Sequence, residues 1–239
     1  MVPEFLALLM ATSSSAALPV SACPTDMALV TGQHPEGMRY KCIATKWGLC
    51  STYEEGNLRA EGTVVPIRAC VDRFEAPNIK GQPPLVMQSG EDAEAWCTAH
   101  GKRMCTEYEW ETACEGDARR PHGYGWRVDD SCNMTKPWKT VNNSFIAQGG
   151  ALAQKEAARL WQGEVADSRP TCEAQPGYPR DMVGNAEEWV KASRKYRWPV
   201  VMMGGHWAKP WQTCRGTNNA HEPSFRYYET GFRCCKDAL

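Results

Sequence analysis

The chain has 239 residues and carries 27 Lys and Arg against 28 Asp and Glu, so its formal net charge at pH 7 is −1. This balance excludes a strongly basic surface for capturing nucleic acid. A hydrophobic content of 42% with 10% aromatic residues supplies the core of one large domain and excludes disorder over most of the chain.

The first residues are typical of an export signal. Residues 5–11 form a short apolar run, and Val-Ser-Ala at 20–22 fits a small-residue cleavage site. The same site followed by Cys23 is similar to the lipobox of bacterial lipoproteins, in which Cys23 carries a lipid. An ordinary N-terminal segment is the alternative, because Glu4 stands where a basic residue is expected. We expect an export signal over 1–22 and a single domain over 23–239.

Twelve cysteines favour disulfide bonds over a zinc site, since no pair of CxxC motifs has partner histidines at zinc spacing. Disulfides persist in oxidising compartments. We therefore expect a periplasmic, extracellular or lipid-anchored protein of the bacterial envelope, which meets the membrane only through Cys23. We also expect a monomer with no nucleic-acid partner.

The N-terminal part of the chain predicts short strands. They lie at 27–30, 39–44 and 64–75, and a local loop separates Cys42 from Cys50. A linker rich in Pro and Gly follows at 76–84.

Two helices have the clearest local signals. Ser89 can cap the first helix, which ends at Gly101, and Thr106 with Glu109 forms a capping box for the second, which ends at Gly116. Each helix places a cysteine on its apolar face: Cys97 in the first and Cys114 in the second. Residues 117–150 are predicted to be irregular, residues 151–160 helical, and the remainder short strands and turns.

Eight motifs, in order, resemble the formylglycine-generating-enzyme (sulfatase-modifying factor) family over roughly residues 64 to 235. The motifs are AEAWCTAHGKR (93–103), TEYEWETAC (106–114), YGW (124–126), WQGE (161–164), DMVGNAEEWV (181–190), MGGHW (203–207), CR (214–215) and GFRC (231–234). The resemblance implies an α+β fold, an elaborated C-type-lectin-like domain that is rich in loops and stabilised by disulfides.

In the DMVGNAEEWV motif, two carboxylates flank a tight loop whose carbonyl groups can complete an oxygen cage for a hard cation. The resemblance implies structural calcium, held by the side chains of Asp181 and Glu188 and the carbonyls of Gly184 and Ala186. The alternative is a helix N-terminus capped by Asp181 or Asn185, without a metal. A further calcium site of the family needs Asn where this chain has Arg159, so we do not expect it.

The resemblance also implies two disulfides, Cys97 with Cys234 and Cys114 with Cys214. In the family, the second bridge ends at a cysteine some twenty residues before the end of GFRC, and Cys214 in the CR motif matches that position because 234 − 214 = 20. The other pairings are hypotheses: Cys42 with Cys50, Cys70 with Cys235, and Cys105 with Cys132 or Cys172.

The family's oxidative chemistry uses two thiolates that hold Cu(I). Counted from Gly204-Gly205, the first thiol position is Lys209, and the second falls near Cys214, which the resemblance assigns to a disulfide. We therefore do not expect copper.

His206 replaces the usual Ser beside this pocket and is the candidate catalytic residue. It can also share a metal with His221 and Glu222, or it is a buried pocket histidine without a role in chemistry.

Two functions follow. The first is an exported, oxidoreductase-like member of the family that acts on a peptide or small molecule without the copper site. The alternative is a non-catalytic module that binds a ligand or protein through residues 198–228, which are rich in Trp, Tyr, Arg and Asn.

Overall fold

A computed structural model describes residues 21–46, 48–209 and 212–239. The predicted export signal therefore lies, apart from its last two residues, outside the described residues. The structure is an α+β arrangement of strands and short helices joined by long loops. The elements are β1 (Met27–Lys46), β2 (Leu49–Asp72), α1 (Gly90–Ala99), β3 (Arg103–Met104), α2 (Glu107–Glu115), α3 (Asn143–Gln148), α4 (Gly150–Leu160), β4 (Glu187–Lys191), β5 (Val200–Met203), β6 (Thr217–Asn218), β7 (Thr230–Phe232) and β8 (Cys234–Asp237).

Two four-stranded sheets organise the molecule. The first has the order β1-β2-β8-β3 and is antiparallel, and the second has the order β6-β5-β4-β7, in which β4 and β7 run parallel. The short strands predicted between 27 and 75 are parts of one long hairpin. They were predicted as separate pieces because four register shifts and many exposed polar residues interrupt the alternation of the two strands.

The core lies between the two sheets. Trp110 of α2 is fully buried and belongs to one apolar cluster with Val30 and Val71 of the first sheet and Val190 and Met203 of the second. Because one indole side chain packs with both sheets, α2 fixes their relative position.

The capping signals correctly located the first two helices. Ser89 and Asp92 form a capping box at the start of α1, and Thr106 and Glu109 form one at the start of α2, as predicted for the second helix. The helix α4 confirms the prediction over 151–160, whereas α3 lies in a stretch predicted to be irregular. At six residues with no buried position, α3 is too short for an apolar period to show.

Buried charges add to the packing of α2. Glu107, Glu111 and Glu115 are spaced four residues apart, so they share one helix face, and all three are buried. Arg194 bonds Glu107 and Glu111 at 2.5 and 2.7 Å, and Arg215 bonds Glu115 at 2.5 Å. This helix face is therefore held by paired charges rather than by apolar contact alone.

All twelve cysteines form disulfides. The two pairs implied by the resemblance are present, as is the local pair of the hairpin. The six bridges are Cys23–Cys70, Cys42–Cys50, Cys97–Cys234, Cys105–Cys235, Cys114–Cys214 and Cys132–Cys172.

Two further pairings were wrong, and the strand register explains the first. Cys70 lies opposite Lys236, so the next residue, Cys235, points to the other face of the sheet and cannot reach Cys70. Cys235 bonds Cys105 instead, and the predicted partners of Cys105 bond each other.

The lipid anchor predicted at Cys23 is also wrong. Its Sγ is bonded to Cys70, which leaves no thiol for a thioether to lipid. Six disulfides indicate an oxidising environment. Among the described helices, none has the length and apolar character needed to cross a bilayer.

Candidate functional site

The residues counted as the copper-binding position cannot form a dithiolate. Lys209 occupies the first position, and Cys214 is fully buried and bonded to Cys114. Since all the cysteines of the chain are in disulfides, no thiol is available for Cu(I). The residues present do not fit the copper centre.

A cavity of about 390 Å³ lies close to Lys209. The second sheet builds its floor, because β4 begins at Glu187 and pairs in parallel with β7, where Glu187 N donates to Glu229 O at 3.0 Å. The residues that line it are Asn143, Glu187, Met202, Asn218, His221, Phe225, Tyr227 and Glu229. The parallel pairing thus brings Glu187 and Glu229 to one site, although they are 229 − 187 = 42 positions apart in the sequence.

The two glutamates have different partners. Glu187 is 4% exposed and accepts a hydrogen bond from Lys209 Nζ at 2.7 Å and one from Asn218 Nδ2 at 3.4 Å. Glu229 is 7% exposed, and its Oε2 has no hydrogen-bond partner among the described residues. Burial, and then the charge of Glu187, raise the pKa of the Glu229 carboxyl to about 8.

Aromatic rings form another part of the lining. His221 stacks on Phe225 with ring centroids 3.7 Å apart, and Phe225 stacks on Tyr227 at 5.8 Å. The Tyr227 hydroxyl donates to Asn143 Oδ1 at 2.6 Å, which fixes that ring at the cavity wall. Burial lowers the pKa of His221, which favours the neutral imidazole. The cavity therefore combines acidic groups with aromatic rings.

His206, the candidate catalytic residue, is not among the residues that line this cavity. It is 3% exposed, its Nδ1 accepts from Ala208 N at 3.3 Å, and its ring centroid lies 5.7 to 6.1 Å from those of Trp138, Trp207 and Tyr228. Burial, and then Lys209, lower the pKa of His206 to about 3, so the ring is neutral at ordinary pH.

The metal hypothesis for His206, His221 and Glu222 is not supported. His206 packs among the three rings just named, whereas His221 stacks on Phe225. In the part of the chain that the structure describes, no three His, Cys, Asp or Glu side chains converge as a metal-binding group.

The predicted calcium region lies at the start of β4. Residues 181–186 lead into this strand and not into a helix, so the hypothesis of a helix cap at Asp181 or Asn185 is wrong. Gly184 has φ +79°, and a Cβ there would lie 2.3 Å from Asn133 O. Only glycine fits this turn.

The charges of this region are unbalanced. Glu188 is fully buried and accepts from Arg233 at 2.6 and 2.7 Å and from Trp110 Nε1 at 2.7 Å. Asp181 is 4% exposed, and its Oδ2 has no hydrogen-bond partner among the described residues. Glu75, also buried, accepts from Ala186 N at 2.8 Å. Three carboxylates thus share one buried guanidinium.

The net charge of this region, with its carboxylates ionised, is matched by one divalent cation. Burial raises the pKa of Asp181 to about 7 and the pKa of Glu75 well above its ordinary value, with the neighbouring carboxylates adding to both. With all three carboxylates ionised, the sum is −3 for the acids and +1 for Arg233, so one Ca²⁺ gives zero. Asp181 offers the free oxygen, while Arg233 and Trp110 already occupy Glu188.

The sequence interpretation missed the acidic cavity. Glu187 is adjacent to Glu188, and successive side chains of a strand point to opposite faces, so only one of the two can belong to the predicted calcium site. The other signal for the cavity was Glu229, a charged residue that lies among buried residues just before GFRC and is itself buried. The alternation predicts a second acidic position, but only the parallel pairing of β4 with β7 reveals its partner.

Comparisons with known proteins agree with this fold. Residues 67–238, well over half of the chain, match the family model of the sulfatase-modifying factor enzyme 1-like domain. The chain is similar to formylglycine-generating enzyme from Bos taurus, with 30% identity over 119 residues, which cover 45% of this chain and 26% of that enzyme. The matched segment thus spans about a quarter of the curated relative.

Two solved structures match the chain, and the first of them is similar in fold. CarF superposes with a TM-score of 0.53 at 14% identity, covering 90% of this chain and 98% of that chain. PvdO from Pseudomonas aeruginosa gives a TM-score of 0.48 at 16% identity, covering 87% and 94%.

Proposed function

The chain belongs to the family of sulfatase-modifying factor enzyme 1-like domains, and from this premise we propose that it is a ligand-binding member that works without the copper centre. The observation that carries the proposal is the buried Glu229 carboxyl in the lining of a cavity of about 390 Å³, whose Oε2 has no hydrogen-bond partner among the described residues. A cavity of this size accommodates a small molecule or one side chain of a peptide.

Most of the residues that line the cavity come from 198–228, the segment predicted from the sequence to bind a ligand or protein. Met202, Asn218, His221, Phe225 and Tyr227 all lie within residues 198–228; one disulfide holds this segment at Cys214, and another follows it at Cys234. Side chains held on a cross-linked scaffold lose little entropy when they bind a ligand. The cavity therefore has the construction of a preformed binding site.

The second candidate is a catalytic member of the family. From the sequence, this candidate is predicted to be an oxidoreductase-like enzyme. The asymmetry of the two carboxylates favours acid–base chemistry for it. Glu187 is ion-paired with Lys209, whereas Glu229 holds its proton at neutral pH, and two carboxyl groups in these states can act as base and acid. This candidate needs no thiol.

Metal analysis and oxygen uptake separate the candidates. The purified protein, with its disulfides intact, is assayed for copper and iron and for oxygen consumption with cysteine-containing peptides. We expect no stoichiometric copper, no oxygen uptake, and no reactive thiol after denaturation without reductant. Bound copper with Cys214 unpaired, together with turnover, would refute the binding proposal.

We also propose that the protein is exported and that calcium is its structural ion. Asp181 would hold the ion with the carbonyls of Gly184 and Ala186, next to Glu188. The ion would supply the positive charge that this carboxylate-rich region lacks. Comparing the N-terminal residue of the secreted protein with that of the translated chain tests export, and calcium titration of the EDTA-treated protein tests the ion.

A further inference from the structure

We infer that the cavity takes an organic ammonium group, held by the Glu229 carboxylate and by the rings of Phe225 and Tyr227. The inference rests on the proposed binding function and names the ligand class. It covers both a free amine and the amino group of a lysine side chain, which present the same chemistry.

Glu229 has hydrogen-bonding capacity that the described residues do not satisfy. Its side chain is more than nine-tenths buried and lines the cavity, yet Oε2 has no partner among the described residues. A buried polar atom without a partner costs free energy, and an entering group that donates a hydrogen bond recovers it. A donor that carries a positive charge forms the stronger bond.

The nearby cation does not meet this need. Lys209 Nζ lies 2.7 Å from Glu187 Oε1, and Asn218 adds a second, longer hydrogen bond to the same oxygen. Glu187 is thereby compensated, and Glu229 is the carboxylate of the described lining that lacks a cation. When Glu229 gives up its proton, the site is therefore short of one positive charge, which an entering ammonium group supplies.

The aromatic lining distinguishes an organic cation from a metal ion. Phe225 and Tyr227 line the cavity, and aromatic rings attract ammonium groups through the ring quadrupole but offer a metal ion no good donor. Burial lowers the pKa of His221, which stacks on Phe225, and so disfavours a competing positive charge there. One carboxylate with two rings matches the compact charge of an ammonium group.

The test is calorimetric binding to the full chain at about pH 8, where Glu229 ionises. The probes are n-butylammonium and N-acetyl-lysine methylamide, and the neutral controls are n-butanol and N-acetyl-norleucine methylamide, which keep the apolar part. We expect both amines to bind and both neutral controls to bind at least about tenfold more weakly. Comparing the two amines shows whether a free amine or a lysine side chain is preferred.

Variants assign the binding to the cavity. Glu229→Gln keeps the shape and removes the charge, and we expect it to weaken amine binding about ten- to hundredfold. Phe225→Ala should weaken it about three- to tenfold. Glu222→Gln, an exposed glutamate in the same loop, is the matched control and should bind as the wild type does. Circular dichroism of each variant confirms its folding.

The outcomes separate the inference from the proposed function. Equal binding of amine and neutral probes, or full amine binding by a folded Glu229→Gln protein, would overturn the ammonium inference. If a neutral or anionic compound binds in the cavity instead and Phe225→Ala weakens it, the inference fails while the binding function stands. Copper-dependent oxygen uptake would remove both.

Discussion

The Glu229→Gln substitution should change how the stability of the protein depends on pH, because the folded protein favours the protonated form of the Glu229 carboxyl. Its pKa rises from 4.5 to about 8 in the folded protein, chiefly through burial. A carboxyl whose folded pKa is raised contributes stability that is fully present below its unfolded pKa of 4.5. This contribution is lost as the pH rises through about 8.

The magnitude follows from the difference between the two pKa values. The rise of the Glu229 pKa from 4.5 to about 8 corresponds to a total of about 5 kcal/mol in the free energy of unfolding. About 3.5 kcal/mol of this contribution is lost between pH 5 and pH 8. Glutamine stays neutral throughout this range and loses nothing. The variant should therefore match the wild type near pH 5 and exceed its stability by about 3.5 kcal/mol at pH 8.

Urea unfolding at pH 5, 6, 7 and 8, with the disulfides intact and calcium held constant, measures this difference. Asp181, whose pKa is about 7, gives a slope of the same sign in both proteins and cancels in the comparison. Glu222→Gln provides the exposed control, which should show no pH-dependent gain. A stability difference between wild type and Glu229→Gln that is the same at pH 5 and pH 8 would refute the burial of an ionisable Glu229.

The remaining predictions concern cross-links and the ion. Removing the Cys97–Cys234 bridge, which closes 137 residues, should cost about 5 kcal/mol, whereas removing the Cys42–Cys50 bridge, which closes eight, should cost about 2.5 kcal/mol. Urea unfolding of the paired Cys→Ser variants checks this, and equal losses would contradict the loop-length argument. EDTA should lower the melting temperature of the wild type, and Asp181→Asn should abolish that response in calorimetry. An EDTA effect that persists in Asp181→Asn would exclude Asp181 as a ligand.

Local signals predicted the local structure. The capping residues Ser89 and Thr106 start their helices as expected, because a cap and its helix lie within four residues of each other. The resemblance, in turn, supplied the long-range bridges Cys97–Cys234 and Cys114–Cys214, which no spacing rule provides.

The failures required three-dimensional information. Cys70 and Cys235 lie on neighbouring strands as expected, yet a register offset of one residue puts their side chains on opposite faces. The acidic cavity escaped for a similar reason. Glu229 meets Glu187 only through the parallel pairing of β7 with β4, and such pairing joins segments that are distant in sequence.

Strand β4 shows why two adjacent glutamates have different roles. Glu188 lies on the core side, where Arg233 is fully buried and depends on it for charge. Glu187 points to the cavity, and its partner Lys209 keeps 38% of its side chain exposed. Glu188→Gln leaves a buried cation uncompensated and should cost about 3–5 kcal/mol, whereas Glu187→Gln should cost about 1 kcal/mol or less.

Urea unfolding of the two variants at pH 7 tests this division, and amine binding gives the complementary readout. Glu187→Gln should weaken amine binding at the cavity. It releases the Lys209 ammonium from Glu187, and Lys209 would then compete with the amine ligand for Glu229. Equal stability losses in the two variants would show that the strand does not separate a structural face from a binding face. The alternation of side chains along five residues is thus what allows one strand to support the core and the cavity at once.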